Sequence, residues 1–236
     1  MSGLAAHHIK TTLAQKILLG TGSSLAALVN PYRGDMVAVC GETTACRSLE
    51  NIRSKMMEDV TGKIILKEKP RISSETMDLK LLRALPESTL GRQYVKMLDK
   101  YNITPDSRLP VRFVDDIELA YVLQRYREIH DFNHLLLGQP TNLRGEVVVK
   151  WFEAIQTGLP MCWLAALGGL ARLNRKRRTK LLTEDLQWVI STAQNAEFFM
   201  NFYFEERLDQ DIDEFQYDAG ITAQKRTTKL KKSKSV

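Results

Sequence analysis

Two of the four histidines in the chain have a spacing that suits metal binding. His130 and His134 lie four residues apart in a segment with helical periodicity. On an α-helix this spacing places the two imidazoles about 40° apart around the axis and about 6 Å apart along it. Asp131 falls within the same arc of about 100°. These three side chains therefore form a candidate set of metal ligands.

Glu146 can complete this set. It follows His134 by twelve residues, and the turn at 138–140 would return the chain antiparallel and bring the carboxylate beside the imidazoles. Nitrogen and carboxylate ligands suit zinc, or non-haem Fe(II) if positions stay open. In the similar H-E-x-x-H motif the acid after the first histidine is a general base, so Asp131 is either ligand or base. The alternative is ordinary core histidines and a solvated Glu146 paired with Lys150.

The elements that must position these residues are helices. Asp115 or Asp116 can begin the helix that carries the histidines, and Gly138 can end it. Thr141 or Asn142 can begin the next helix, and Thr183 the last one. Apolar periodicity predicts helices at 10–30, 43–60, 79–85, 88–101, 115–137, 141–157, 160–173 and 183–208, with a loop or short strands at 61–76. Without an internal repeat or a second core, the sequence predicts one all-α domain.

Composition excludes some classes of protein. The chain has 236 residues, 44% of them hydrophobic, which suits one folded domain, and it lacks a run of about 18 apolar residues that could span a membrane. Its net charge of +6 equals the six lysines and arginines of segment 223–236, so the remaining body is neutral, which argues against a nucleic-acid-binding face. Cys40, Cys46 and Cys162 have no zinc-finger or disulfide spacing, which indicates a reducing compartment.

Two further side chains can support the metal site. Tyr126 and Arg127 lie four and three residues before His130, on its side of the helix. They can hydrogen-bond a ligand carboxylate or a substrate. The alternative is structural pairing with nearby acids.

The segment 125–146 resembles the ubiquinone (coenzyme Q) biosynthesis family called Coq-four, whose signature is H-D-x-x-H-x11-E. The resemblance runs from about residue 7 to 222. It extends to the flanking segments 30–33, 35–38, 41–44, 69–73, 113–116, 118–121, 148–153 and 156–161. It predicts a family domain at 7–222, between a short N-terminal segment at 1–6 and a basic, disordered tail at 223–236. Family members carry a longer mitochondrial leader before this domain.

The resemblance implies that the metal ligands are His130, Asp131, His134 and Glu146, with Zn²⁺ as the ion and Fe²⁺ or another divalent metal as alternatives. It implies a carboxy-lyase that removes the C1 carboxyl from a polyprenylated 4-hydroxybenzoate, 4-hydroxy-3-methoxy-5-polyprenylbenzoate, and leaves coupling to C1 hydroxylation open. The competing hypothesis is a non-catalytic, lipid-binding scaffold for the other ubiquinone enzymes, with a structural zinc. A structural zinc is closed by four protein ligands, whereas a catalytic one keeps a position for water or substrate.

The same resemblance implies partners and a location. The partners are the polyprenylated intermediate, the other enzymes of a multi-subunit ubiquinone biosynthesis complex and the lipid surface of the mitochondrial inner membrane, with peripheral attachment on the matrix side. A homodimer is compatible with these partners. The polyprenyl tail needs an apolar groove, for which residues 159–173 and Phe198, Phe199, Phe202 and Tyr203 are candidates; the alternative for each is ordinary core packing.

Overall fold

The computed structural model describes residues 6–30, 33–222 and 224, and within them the chain folds as one all-helical domain, as the sequence predicts. The helices follow one another along the chain as α1 (Leu13–Val29), α2 (Gly34–Thr44), α3 (Cys46–Glu58), α4 (Val60–Glu68), α5 (Leu79–Ala84), α6 (Leu90–Tyr101), α7 (Ile117–Leu136), α8 (Leu143–Thr157), α9 (Pro160–Arg172), α10 (Arg175–Lys180), α11 (Leu186–Asn195) and α12 (Ile212–Asp218). No β-strand forms in these ranges. The predicted segment 1–6 and tail 223–236 lie outside the described residues, except for Ala6 and Gln224.

Local capping chemistry sets the ends of the two central helices. The Asp116 side chain accepts from the backbone N–H of Glu118 and Leu119 and begins α7. Asn142 does the same for α8. Gly138, just after α7, has a φ of +60°, a left-handed conformation that glycine adopts without strain. These boundaries confirm the predictions made from side-chain type alone.

The predicted loop or short strands at 61–76 are wrong for residues 61–68, which belong to the helix α4, whereas 69–76 forms the predicted loop. Asp59 caps it by accepting from the Gly62 N–H at 2.7 Å. Gly62 therefore marks a close approach within the fold rather than a turn: a Cβ at this position would lie 2.3 Å from the Met56 carbonyl oxygen. The helix predicted at 43–60 forms as α3 but begins later than predicted, since residues 43 and 44 belong to α2 and the two helices meet at the fully buried Ala45.

The long helix predicted at 183–208 is interrupted. Asn174, not Thr183, caps the helical segment that begins at Arg175, and a short π-helical stretch joins α10 to α11. The segment ends at Asn195, where a side chain from α8 binds two carbonyls at the helix end. The Gln156 amide donates to the carbonyls of Ala193 (2.9 Å) and Ala196 (3.3 Å). A helix end buried against such a partner needs no terminal glycine.

Helix α7 runs through the middle of the domain, and 17 of its 20 residues are buried. Its polar residues are buried along with its apolar ones, so each needs a partner. Arg125, with a fully buried side chain, pairs with Glu205, and Glu128 accepts from Arg71 at 2.7 Å. A helix that is buried on all sides while carrying this much charge gives only a weak amphipathic pattern in the sequence.

Aromatic rings fill the core on the side of α7 away from the histidines. Phe132 stacks on Tyr94 and on Phe204 with ring centroids 4.3 and 4.7 Å apart. Phe204 in turn stacks on Phe215. None of the helices in the described ranges is long and apolar enough to span a membrane.

Candidate metal centre

His130, His134 and Glu146 converge on one point. The Glu146 carboxylate lies 3.5 Å from His130 Nε2 and 3.2 Å from His134 Nε2. One ligand atom from each residue falls within 4.8 Å of the others, which makes this a group able to hold a metal ion. Residues early in α8 approach late residues of α7, and later residues of α8 approach earlier ones of α7. The two helices are therefore antiparallel, as predicted.

The hydrogen bonds of both imidazoles leave their inward nitrogens available. His130 Nδ1 lies 2.6 Å from Glu153 Oε1, and His134 Nδ1 lies 3.2 Å from the carbonyl oxygen of Gln139. Because a carboxylate and a carbonyl can only accept, each Nδ1 carries a proton and each Nε2 of a neutral ring keeps a lone pair. His134 Nε2 is buried, and the Glu146 carboxylate faces it at 3.2 Å. Two free imidazole nitrogens facing a carboxylate fit a divalent metal ion such as zinc.

The electrostatics also suit a cation. Burial alone raises the pKa of Glu146, but hydrogen bonds to His130 and His134 outweigh it and hold that pKa well below its usual range. Burial disfavours the His130 imidazolium, yet the charge of Glu153 and the bond to Glu146 raise its pKa above the usual value. Glu146 is therefore a carboxylate at neutral pH. Metal uptake has to compete with a proton on the histidine.

A buried carboxylate holds His130 in place. Glu153 Oε1 accepts from His130 Nδ1 and from Asn133 Nδ2, the latter at 2.8 Å. Its Oε2 accepts from the Tyr126 hydroxyl and from Lys150 Nζ, both at 2.6 Å. Glu153 thus forms the carboxylate–histidine pair that orients a metal-ligating imidazole.

The sequence interpretation overlooked this role of Glu153. Burial opposes its ionisation, but the charges of His130 and Lys150 keep the pKa of Glu153 well below its usual range. Lys150 pairs with Glu153 rather than with Glu146, the partner considered above. The available signal was spacing: Glu153 lies seven residues after Glu146, two helical turns further along the same face of α8.

Asp131 lies beside the group without joining it. Its Oδ1 accepts from Arg108 Nη2 at 2.5 Å, and the group formed by the described residues contains His130, His134 and Glu146. The four-ligand set therefore stays a prediction. Asp131 would join it either by binding the metal ion while still paired with Arg108, or by giving up that pair. Among the described residues, the group therefore has three members.

Tyr126 and Arg127 have different roles in the structure. The Tyr126 hydroxyl donates to Glu153, so it supports the carboxylate behind His130. Arg127 Nη2 donates to Glu42 Oε1 at 2.8 Å and to the Ala38 carbonyl at 2.9 Å. Arg127 therefore forms a structural ion pair, the alternative to substrate binding that the sequence allowed. Its side chain also lies on the wall of a cavity beside the metal group.

Cys162 lies 3.0 Å from the Tyr126 hydroxyl, and burial raises the pKa of its thiol to about 12. At neutral pH it is therefore a packed, uncharged thiol rather than a metal ligand. All three cysteines are free, as their scattered spacing predicts.

A cavity of about 750 Å³ opens onto the metal group. His130, Asp131 and Glu146 lie on its wall together with Arg108 and Lys150. Apolar side chains from α1, α2, α8 and α9 form much of the rest, among them Leu28, Val37, Val147, Met161 and Leu164. Such a volume and lining are typical of a pocket for a small, mostly apolar molecule.

Helix α9 thus lines the cavity, in the region where the sequence placed the groove. The other candidates lie elsewhere. Phe199 packs against Phe152 and Phe202 in the core, and the Tyr203 hydroxyl donates to Glu68. Core packing, the alternative considered for the phenylalanines, is what the structure has.

The fold and the site define an all-helical protein with a His–His–Glu group at a deep apolar cavity. The model of the family "Coenzyme Q (ubiquinone) biosynthesis protein Coq4" matches residues 6–225. The chain is 53% identical over 215 residues to the mouse protein named "Ubiquinone biosynthesis protein COQ4 homolog, mitochondrial", covering 91% of this chain and 81% of the relative. The human protein of the same name is 51% identical over 220 residues, 93% of this chain and 83% of the relative. The chain therefore belongs to the Coq4 family, and its role lies in ubiquinone biosynthesis.

The fold has a counterpart among solved structures. A crystal structure from Nostoc punctiforme, whose name assigns it provisionally to ubiquinone biosynthesis, superposes with a TM-score of 0.71 at 18% identity. The match covers 86% of this chain and 97% of the other. At that identity it establishes the shared fold.

Proposed function

We propose that this protein is a metal-dependent carboxy-lyase of ubiquinone biosynthesis that removes the C1 carboxyl of 4-hydroxy-3-methoxy-5-polyprenylbenzoate. The observation that carries the proposal is the His130–His134–Glu146 group, which has three candidate ligands among the described residues and faces a largely apolar cavity of about 750 Å³. A metal held by three protein ligands keeps a position for substrate, whereas a structural zinc is closed by four. A domain of this size also buries a core large enough to fold without a metal.

The substrate has the same polarity pattern as the cavity. Its ring and carboxylate suit the charged end, where His130 and Glu146 would hold Zn²⁺ or Fe²⁺ together with His134. Its prenyl chain suits the apolar wall of α1, α8 and α9. A bound divalent cation supplies a Lewis acid for the carboxylate or a ring oxygen. Glu153 keeps His130 in the tautomer that can bind the ion.

The overall reaction balances without a further reactant in its simplest form. The bond between C1 and the carboxyl carbon breaks, CO₂ leaves, and the electron pair that remains at C1 takes up a proton. The apolar wall excludes water from the ring and strengthens the interactions at the charged end. The residues of this chain therefore have to bind, orient and shield the ring rather than form a covalent bond to it.

The direct test is turnover by the purified protein. Substrate with a short prenyl chain and a labelled carboxyl carbon is expected to release labelled CO₂ when the protein is loaded with Zn²⁺ or Fe²⁺, and not after chelation. The same acid without a prenyl chain should react more slowly, since it leaves the apolar wall unused. Tight binding of the prenylated acid with no CO₂ released under any of these metals would favour the non-catalytic scaffold instead.

We propose further that the protein attaches peripherally to a membrane, the matrix side of the mitochondrial inner membrane, where it would meet its lipid substrate and other ubiquinone enzymes. The outer face of α1 supports this: its residues Leu13, Leu18 and Val29 are 76%, 73% and 75% exposed. Next to α9 the segment Arg175–Lys180 is exposed and strongly basic. An exposed apolar helix face and an exposed basic segment each suit an anionic lipid surface.

Leu18→Asp is expected to weaken binding to vesicles that contain anionic phospholipid by about 10- to 100-fold, because an apolar side chain of this size contributes about 1.5–3 kcal/mol when buried. Co-sedimentation with vesicles at several salt concentrations measures it. Leu81→Asp is the matched control, since Leu81 is 61% exposed on α5. Equal losses in the two variants, or a Leu18→Asp protein that changes only from dimer to monomer, would contradict the lipid assignment.

A further inference from the structure

We propose that Arg108 is the side chain that binds the carboxylate of the substrate, an inference that rests on the proposed function. Arg108 lies on the cavity wall beside the metal group and pairs there with the carboxylate of Asp131. The planar guanidinium presents its donors as a fork that matches a carboxylate in two parallel hydrogen bonds. Asp131 therefore indicates the kind of anion that this position accepts.

Arg108 has donors to spare. Its Nη2 donates to Asp131, whereas its Nε is buried with no hydrogen-bond partner. A buried donor without a partner is destabilising, and a ligand that draws the guanidinium toward the cavity would pair it. The Arg108 side chain is 33% exposed and its environment includes the charges of Glu146 and Glu153. It is thus accessible from the cavity and close to the metal group.

The other cations on the cavity wall are engaged or differently placed. Lys150 donates to Glu153 at 2.6 Å and to the Tyr126 hydroxyl at 3.0 Å. The Arg127 guanidinium donates hydrogen bonds to Glu42 and to two backbone carbonyls. Arg172, at the end of α9, is exposed to solvent. By elimination, Arg108 is the cation of this wall best placed to receive an anionic group beside the metal.

The segment that directly follows Arg108 is held in position at two points. The Arg127 guanidinium donates to the carbonyl of the next residue, Leu109, at 3.1 Å. The buried Glu42 carboxylate accepts from the backbone N–H groups of Arg112 and Phe113 at 2.7 and 2.8 Å. Arg127 and Glu42 are therefore positioning residues, and Arg108 is presented without a large ordering cost on binding.

The test compares two ligands in two proteins. The prenylated 4-hydroxybenzoate and the prenylated phenol that lacks its carboxyl group are titrated by calorimetry into the unaltered protein and Arg108→Gln, at saturating Zn²⁺ and again after chelation. Arg108→Gln is expected to lose about 10- to 100-fold in affinity for the acid and to keep its affinity for the phenol, because a charge-assisted pair is lost for one ligand only. Arg108→Lys should lose less, since it keeps the charge without the fork.

Arg47→Gln is the control, because Arg47 is exposed on α3 and does not line the cavity; both affinities should stay unchanged. Equal losses for acid and phenol in Arg108→Gln would overturn the assignment. So would a loss for the acid that appears only with Zn²⁺ present, because Arg108 would then act through Asp131 and the metal. If the unaltered protein binds neither prenylated ligand, the proposed substrate class itself is wrong, which is a different result from either of these.

Discussion

Glu146→Gln is expected to lower the rate of CO₂ release by about a thousandfold or more, while the melting temperature of the metal-free protein changes by less than about 4 °C. The Glu146 side chain is 37% exposed and faces the cavity, and its ion pairs are with His130 and His134. Glutamine keeps the shape of the side chain but removes the charged ligand. The protein should fold and lose its metal-dependent chemistry.

His134→Ala tests the same site from a buried position, since its side chain is 1% exposed. We expect it to stay folded and to lose activity as Glu146→Gln does. Initial rates and thermal unfolding of the metal-free proteins measure both effects, with Glu197→Gln as the control at an exposed acid outside the cavity. The scaffold hypothesis expects the opposite: large losses of stability, and a metal-loaded parent protein that never turns over.

Glu153→Gln is expected to lower metal affinity by about 10- to 100-fold and to destabilise the fold by about 3–5 kcal/mol. The first effect follows because a neutral amide no longer fixes the protonated Nδ1 of His130. The second follows because Lys150, whose side chain is 14% exposed, loses its ion pair at 2.6 Å. Zinc competition with a fluorescent chelator and urea unfolding measure the two effects.

A second substitution separates the two effects of Glu153→Gln. Adding Lys150→Met removes the unpaired buried charge, so the double variant should regain much of the lost stability while its metal affinity stays low. Recovery of metal affinity together with stability would mean that Glu153 matters only for packing. Unchanged zinc affinity in Glu153→Gln would show that His130 needs no carboxylate to orient it.

Helix-local features of this protein were predictable because they depend on neighbouring residues. The caps Asp116 and Asn142 and the glycine ends of α7 and α8 depend on side chains and backbone within one turn. The helix at 60–68 was not predictable in this way, because a glycine beside a short apolar run is also typical of a turn. The presence of glycine at position 62 is explained only by its close packing against Met56 in the folded domain.

The ends of α11 and the surroundings of α7 depended on distant residues. Where α11 ends, at Asn195, Gln156 of another helix binds the carbonyls of Ala193 and Ala196. Several polar residues of α7 are placed by a partner far away in the chain, such as Glu42 for Arg127 and Glu205 for Arg125. No periodic pattern in one segment records such a partner.

By itself, then, the sequence determined three members of the candidate metal site. The i, i+4 spacing sets His130 and His134 on one face of a helix, and the short turn returns Glu146 beside them. Tertiary structure alone decided what surrounds them: Glu153 behind His130, Arg108 on Asp131, and the cavity between α1, α2, α8 and α9. The physical reason is range, since helical geometry acts over a few residues, whereas the partner of a buried charge is chosen by the packing of the whole domain.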